Sequence, residues 1–176
     1  HNHNQPLPWP SPLLRRRPCP RGGTEITSWI KNSSGACKNA SGTGPQQTGG
    51  GGGVDFGALW NGMVAPFINT TIFGALWYQG ENNVHDCVEA GKRDAGIDGC
   101  GNVLAKTGYS CSTHNLVSSW REQWSAVPDT TDKMFPFGIV SLAAGTSEGH
   151  SHNMGNFRHA QTGKIVILSR FACCPS

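Results

Sequence analysis

An apolar run at residues 72–78, Ile-Phe-Gly-Ala-Leu-Trp-Tyr, restricts the possible folds more than any other feature of the sequence. Its length and nearly continuous apolar character are typical of a strand that is covered on both faces of a parallel sheet. The run breaks abruptly into the polar segment 79–83, which contains Gly80. A catalytic loop at the carboxyl edge of a parallel sheet has this form, and so does an ordinary junction between strand and loop. We therefore expect a central strand that ends at Gln79, with both interpretations of the loop open.

Helices and strands are expected to alternate along the rest of the chain. Ser112 or Thr113 is expected to cap the clearest helix, whose apolar residues recur at helical spacing from Leu116 to Val127. In this helix the tryptophans are expected in the core and Arg121 on the outer face. Further elements are expected at residues 55–64 (helix), 137–144 (strand), 154–161 (helix) and 165–168 (strand). The alternation predicts an α/β domain with a mostly parallel sheet.

The composition is that of a loop-rich chain, since 24 glycines and 11 prolines stand among 176 residues. Charged residues make up 14% and the net charge is +3, so no charge imbalance indicates a nucleic acid or a membrane surface as partner. No apolar stretch approaches the ~18 residues that a membrane-spanning helix needs. Residues 1–21 hold six prolines and three consecutive arginines, and we expect a disordered tail there.

The cysteines and the glycosylation sequons give an indication of the cellular compartment of the protein. Seven cysteines occur without a CxxC pair or the spacing of a zinc site, which favours disulfide bonds. Asn-x-Ser/Thr sequons at Asn32, Asn39 and Asn69 are candidate glycosylation sites. Disulfides and sequons together favour a secreted or lysosomal protein.

Other groups of reactive residues are weak candidates for a metal site or a catalytic site. His150 and His152 lie in a Gly/Ser loop without a carboxylate partner, so we expect no metal site there. Glu81 and Asp86, five residues apart on one loop, do not define the opposing acid and base of a glycosidase. Serines and seven histidines are present, but no Ser-His-Asp triad is assigned from their positions in the sequence. We expect neither a metal nor a cofactor.

A series of motifs in one order carries a family resemblance. The motifs are GGTEITSW from Gly22, LWNGMVAP from Leu59, GALWYQGENN from Gly74, WREQW from Trp120, FPFG from Phe135 and RHAQT from Arg158. Over about residues 22–163 the sequence resembles the sialate O-acetylesterases, which are serine esterases of the SGNH-hydrolase type. The segment around WYQGE is the most specific of these motifs.

The resemblance implies a three-layer α/β/α esterase domain that acts on an O-acetylated sugar. In the family a serine attacks the acetyl carbonyl, and a histidine held by an acidic group takes the serine proton. The resemblance suggests Gln79 as a side-chain donor to the oxyanion and places Gly23 in a turn near the site. We infer that Glu81 supports the loop against Arg158. Asn61 and Arg158 are candidate substrate-binding residues, with helix capping as the alternative for Asn61.

The sequence departs from the family pattern at three places. Asn82 stands where the family commonly has serine. A GQSN nucleophile segment is expected before Gly22 and a catalytic histidine segment after Gln161, and neither motif is present. We therefore expect residues 22–163 to form an esterase domain that is incomplete at both ends, followed by a non-family tail at 164–176.

Three functional interpretations remain open at this point. The preferred one is an inactive fragment of an esterase that removes O-acetyl groups from sialic acids or related sugars. A non-catalytic carbohydrate-binding relative would keep the sugar-facing loops without the nucleophile. If the chain is instead a structural protein held by disulfides, the resemblance of its QGE loop to a catalytic loop is accidental. Related folds deacetylate xylan or sialic acid with similar loops, so the sugar is not fixed by the motifs.

Overall fold

The computed structural model describes residues 23–31, 36–38, 56–84, 100–143 and 153–163. The regular elements are strand β1 (Ala75–Trp77), helix α1 (Gly108–Trp124), strand β2 (Phe137–Ile139) and helix α2 (Asn153–Arg158). Helical turns lie at Ile26–Trp29, Trp60–Val64, Ala65–Phe67 and His159–Gly163. Within these ranges no helix has the length and apolar character to cross a membrane. The predicted strand at 165–168 and the predicted tails lie outside the described residues.

The two strands pair in parallel, with Ala75 opposite Phe137 and Trp77 opposite Ile139. The chain between them passes through α1, because parallel neighbours need a crossover connection. This mixture of helix and parallel strands is consistent with the predicted α/β fold. Both strands are shorter than expected from the sequence. At the start of the apolar run, the Ile72 N–H donates to the Thr131 hydroxyl at 3.1 Å, so it is bound to a side chain instead of a neighbouring strand.

The expectation that β1 is covered on both faces is wrong for the described residues. Trp77 is buried, but Leu76 is 83% exposed, and Phe73 and Tyr78 are also exposed. Alternate residues of a strand point to opposite faces, so one face of β1 packs on the core and the other does not. A run of apolar residues cannot distinguish these two arrangements, because both faces are apolar in the sequence.

Helix α1 begins earlier than the sequence indicates. Gly108 starts it with a φ of 61°, in the left-handed region that favours glycine. Ser112 and Thr113, the expected caps, are buried inside the helix, and the Thr113 hydroxyl donates to the Tyr109 carbonyl at 2.9 Å. The helix ends before Val127, which is exposed. The predicted cap is therefore wrong, although the predicted helix is present.

Arg121 is buried, which contradicts its expected outward position. Its Nε and Nη2 atoms donate to the Phe135 carbonyl at 3.3 and 3.1 Å. Burial disfavours the charged form and lowers the pKa of the Arg121 guanidinium, while Asp132 opposes this effect. The arginine thus attaches α1 to the chain that leads into β2.

Tryptophans form much of the core, as expected. Trp60, Trp77 and Trp124 are buried, and Trp120 lies beside all three. The ring centroid of Trp120 is 6.3 Å from that of Trp60, 5.7 Å from that of Trp77 and 5.4 Å from that of Trp124. Trp29 extends the cluster, with its centroid 5.7 Å from that of Trp77. This cluster holds α1 against β1.

A disulfide between Cys37 and Cys111 confirms the expectation of disulfide bonding. It joins α1 to a segment 74 residues earlier in the chain. Beside it, the Lys38 carbonyl accepts from the Gly108 N–H at 2.8 Å, which fixes the start of the helix. Cys100 is disulfide-bonded as well.

Candidate functional site

The polar loop after β1 is a tight turn around Gly80. The N–H groups of Asn83 and Val84 both donate to the Gly80 carbonyl, at 2.8 and 2.9 Å. Gly80 has a φ of 141°, and an added Cβ would lie 2.6 Å from the buried ring of Phe157. The glycine of the QGE motif is therefore required by both backbone conformation and close packing. Gln79 precedes this turn, two residues beyond the end of β1.

The side chain of Gln79 connects two segments that are far apart in the sequence. Its Nε2 atom donates to the Thr24 carbonyl at 2.8 Å and to Asn83 Oδ1 at 2.7 Å. Asn83 Oδ1 also accepts from the Ile26 N–H at 3.0 Å, which fixes the orientation of the Asn83 amide. Gln79 is 8% exposed. The amide therefore joins the GGT segment to the QGE loop.

Two further buried side chains hold the Gln79 backbone, and sequence reasoning did not assign either. The Tyr109 hydroxyl lies 3.1 Å from Gln79 Oε1 and 3.3 Å from the Gln79 carbonyl. Gln161 Nε2 donates to the same carbonyl at 3.2 Å, and Gln161 Oε1 accepts from the Leu142 N–H at 3.1 Å. Burial raises the pKa of the Tyr109 hydroxyl well above its usual value, so it remains a donor.

A cavity of about 660 Å³ opens between the GGT segment and the QGE loop. Its wall combines aromatic side chains with polar groups. The lining residues are Gly23, Thr24, Trp29, Leu76, Trp77, Tyr78, Gln79, Glu81, Asn82 and Trp120. A concave site with apolar walls and a few oriented polar groups is typical of a small-molecule site. Among these lining residues Glu81 is the one with a charged side chain, and it is exposed.

The structure brings three predicted site residues together and separates two others. Gly23, Gln79 and Glu81 all line the cavity, although more than fifty residues separate the first two. Asn61 and Arg158 do not line it. Their substrate-binding role stays a prediction without support from this geometry.

The inferred contact between Glu81 and Arg158 is wrong for the described residues. The Arg158 Nε atom donates to the Leu142 carbonyl at 2.6 Å, on the chain that follows β2. No ion pair joins the guanidinium to Glu81 within the described part of the chain. The hydrogen bonds of Gln79 and Gly80 hold the loop instead.

The remaining predictions concern the three glycosylation sequons and metal binding. Asn69 is exposed and lies in a turn after a short helical segment, where an oligosaccharide could be attached. Asn32 and Asn39 lie outside the described residues. The described ranges contain no group of three or more His, Cys, Asp or Glu side chains arranged to hold a metal ion.

Sequence comparison gives the family context of this cavity. No family model matches the chain. The chain is 30% identical to the Sialate O-acetylesterase of Homo sapiens over 140 residues, which are 74% of this chain and 22% of that protein. The Pongo abelii protein of the same name gives the same values. The Rattus norvegicus protein is 34% identical over 87 residues, 49% of this chain and 13% of the relative.

The chain is related to a part of the sialate O-acetylesterases. It matches about a fifth of the length of the human and orangutan relatives. The family resemblance predicted from the ordered motifs is thereby confirmed. The sialate O-acetylesterases are named as esterases, which are hydrolases. In this chain residues of the motifs GGT and QGE, which are among those that carried the resemblance, line one cavity.

Proposed function

We propose that this chain contributes the sugar-binding wall of an esterase that removes O-acetyl groups from sialic acids or related sugars. One observation carries the proposal: the Gln79 amide donates to the Thr24 carbonyl at 2.8 Å, so two esterase-like motifs share one cavity. The names of the relatives supply the reaction class. The proposed substrate is an O-acetylated sugar, bound in the cavity beside Gln79.

The cavity wall suits a sugar ring. Trp29 and Trp120 are half-buried and Tyr78 is exposed, so their rings offer apolar faces to the C–H faces of a sugar. Gln79 and Asn82 place polar atoms at the same wall, where hydroxyl groups need partners. The aromatic faces would set the plane of the sugar ring, and the polar atoms of Gln79 and Asn82 would fix its rotation within that plane.

In the proposed reaction a serine outside the recognised motifs of this chain attacks the acetyl carbonyl, and a histidine accepts the serine proton. Gln79 has two possible contributions to this step. Both N–H groups of its Nε2 atom already donate hydrogen bonds within the protein, to the Thr24 carbonyl and to Asn83 Oδ1. Donation to the oxyanion therefore requires the exchange of one of these bonds. Without that exchange, Gln79 acts by holding the loop and the Thr24 turn at the site.

We also propose that the 176-residue chain has no esterase activity by itself, because it contains no GQSN motif of the kind that carries the nucleophile in the family. The test is acetyl release from an O-acetylated sialoside. It compares this chain with a joined protein, in which the nucleophile and histidine segments of a sialate O-acetylesterase relative are attached to its ends. Activity of the joined protein alone supports the proposal. Activity of the short chain contradicts this proposal, and activity of neither protein when both are folded contradicts the proposed esterase role of the site.

A second candidate function is carbohydrate binding without catalysis. The observation that favours it is that the described residues form a sugar-sized cavity of about 660 Å³ without any recognised nucleophile. Binding of a sugar that is never deacetylated, even by the joined protein, would favour this alternative. The tryptophans in the cavity wall allow binding to be followed by fluorescence.

We further propose a secreted or lysosomal location. Disulfide bonds at Cys37, Cys111 and Cys100 are typical of an oxidising compartment, and Asn69 is exposed for glycosylation. Expression through a eukaryotic secretory pathway, followed by removal of N-linked glycans, tests the location. A mass that does not change on glycosidase treatment would count against it.

A further inference from the structure

The sequon at Asn69 lies on an exposed turn that also carries an aromatic side chain. Asn69 and the two residues after it are exposed, and Phe67, two residues before it, is 58% exposed. Between the two, Ile68 packs against the hydrophobic core. Phe67 and Asn69 therefore both lie on the outer side of the turn, on either side of a residue that fixes the turn to the core.

Two hydrogen bonds hold this turn in one conformation. The Thr70 N–H donates to the Phe67 carbonyl at 2.9 Å, and the Thr70 hydroxyl donates to the same carbonyl at 2.7 Å. A hydrogen bond from the first to the fourth residue is typical of a β-turn, in which Asn69 takes the third position. Ile68 has a φ of −61° and a ψ of −18°, close to the values of the second residue of a type I turn. The protein itself thus orders the backbone on which Phe67 and Asn69 stand.

We propose that Phe67 is a platform for the first sugar of an N-linked oligosaccharide on Asn69, and that this contact makes glycosylation stabilise the folded chain. The proposal rests on the proposed glycosylation of Asn69, to which it adds a contact surface and a consequence for stability. It does not depend on the proposed esterase activity. The ligand is N-acetylglucosamine, the sugar that is joined directly to asparagine in N-linked glycans.

The chemistry of the two groups suits stacking. The substituents of a β-linked N-acetylglucosamine ring are equatorial, so its axial C–H groups form an apolar face. The face of an aromatic ring is electron-rich and attracts such polarised C–H groups. Contact also removes from water apolar area of Phe67, which is more than half exposed without the sugar. Because ring and sugar are attached to one ordered turn, little conformational freedom is lost when they meet.

The contact should stabilise the folded state specifically, because the unfolded chain has no ordered turn to bring the two rings together. We expect the first sugar to shift the unfolding equilibrium about fivefold toward the folded state, which corresponds to about 1 kcal/mol. For a chain of this size the melting temperature should rise by about 2 to 4 °C.

A double-mutant cycle on the full 176-residue chain tests the proposal. The chain is expressed through a eukaryotic secretory pathway, its glycans are trimmed enzymatically to the first N-acetylglucosamine, and mass spectrometry of the peptide that contains Asn69 shows whether it is modified. The melting temperature is measured for the original sequence, Asn69→Gln, Phe67→Ala and the double variant. We expect Asn69→Gln to lower it by about 2 to 4 °C when Phe67 is present, and by less than about 1 °C in Phe67→Ala.

Phe73→Ala is the matched control, because Phe73 is 91% exposed but lies outside this turn. It should leave the effect of Asn69→Gln unchanged. An effect of Asn69→Gln that is equal with and without Phe67, or that disappears in Phe73→Ala, overturns the platform while the glycosylation of Asn69 stands. A secreted chain whose Asn69 carries no sugar overturns both the glycosylation and the platform.

Discussion

The substitution Gly80→Ala tests whether the tight turn of the QGE loop is built as described. Gly80 has a φ of 141°, which an alanine adopts only with strain. The new Cβ would lie 2.6 and 2.7 Å from two ring carbons of Phe157 and 3.2 Å from a methyl carbon of Leu142. Phe157 is fully buried, so its ring has little room to move away.

The expected loss of stability combines two costs. Backbone strain of this kind costs about 1 to 3 kcal/mol. Forcing a methyl group into a packed core costs about 1 to 3 kcal/mol more. We expect Gly80→Ala to lower the free energy of unfolding by about 3 kcal/mol, and the melting temperature of a chain of this size by about 6 to 12 °C.

The measurement is chemical denaturation of the unmodified chain and two variants. Gly155→Ala is the control, because Gly155 lies in helix α2 and a Cβ added there would have no neighbouring atom within 4 Å. In a helix this change should be neutral or stabilise by up to about 1 kcal/mol. A loss of less than about 1 kcal/mol for Gly80→Ala, or an equal loss for both variants, would refute the reasoning.

Further predictions concern the core, the disulfide and the surface. Tyr109→Phe removes the hydroxyl beside Gln79 and should lower stability by about 1 kcal/mol at neutral pH. Burial raises the pKa of the Tyr109 hydroxyl, so the folded state holds this proton more tightly than the unfolded chain does. The free energy of unfolding should therefore fall as the pH rises above about 10, and it should fall less steeply in Tyr109→Phe. Urea titrations at several pH values measure both slopes. Replacing Cys37 and Cys111 by alanine opens a loop with a sequence separation of 74 and should lower the free energy of unfolding by about 4 kcal/mol; an unchanged urea midpoint would contradict this. For the chain expressed through a eukaryotic secretory pathway, Asn69→Gln should reduce the mass by one glycan, and a mass that changes only by the added methylene group would show that Asn69 is unmodified.

The sequence predicted the backbone of the site better than its side-chain contacts. The apolar run followed by Gln79 indicated a parallel strand that ends at a polar loop, and β1 and Gln79 have this arrangement, with Gln79 at the wall of a cavity. The apolar run is longer than the observed strand, because the apolar residues before Ala75 bind to other parts of the chain or are exposed. Local pattern thus gave the position of the loop, and tertiary contacts set its bounds.

The polar side chains that hold the loop could not be found from local pattern. Tyr109 and Gln161 contact Gln79 from 30 and 82 residues away, and a period of 2 or 3.6 residues carries no information about such distances. Gln161 lies in the RHAQT motif and Asn83 in the QGENN motif, so motif membership was the available signal. Arg121 was wrongly expected outside, because a charged residue on a helix is usually solvated.

The central claim is that the Gln79 loop forms part of an ester-cleaving sugar site. The most direct measurement is the rate of acetyl release by the joined protein with Gln79→Ala, with Gln123→Ala as control. Gln123 lies on α1 outside the cavity, where it accepts a hydrogen bond from Lys31. The account predicts a loss of roughly a hundredfold for Gln79→Ala in a protein that remains folded, and less than a twofold change for the control. Full activity of a folded Gln79→Ala protein would contradict it.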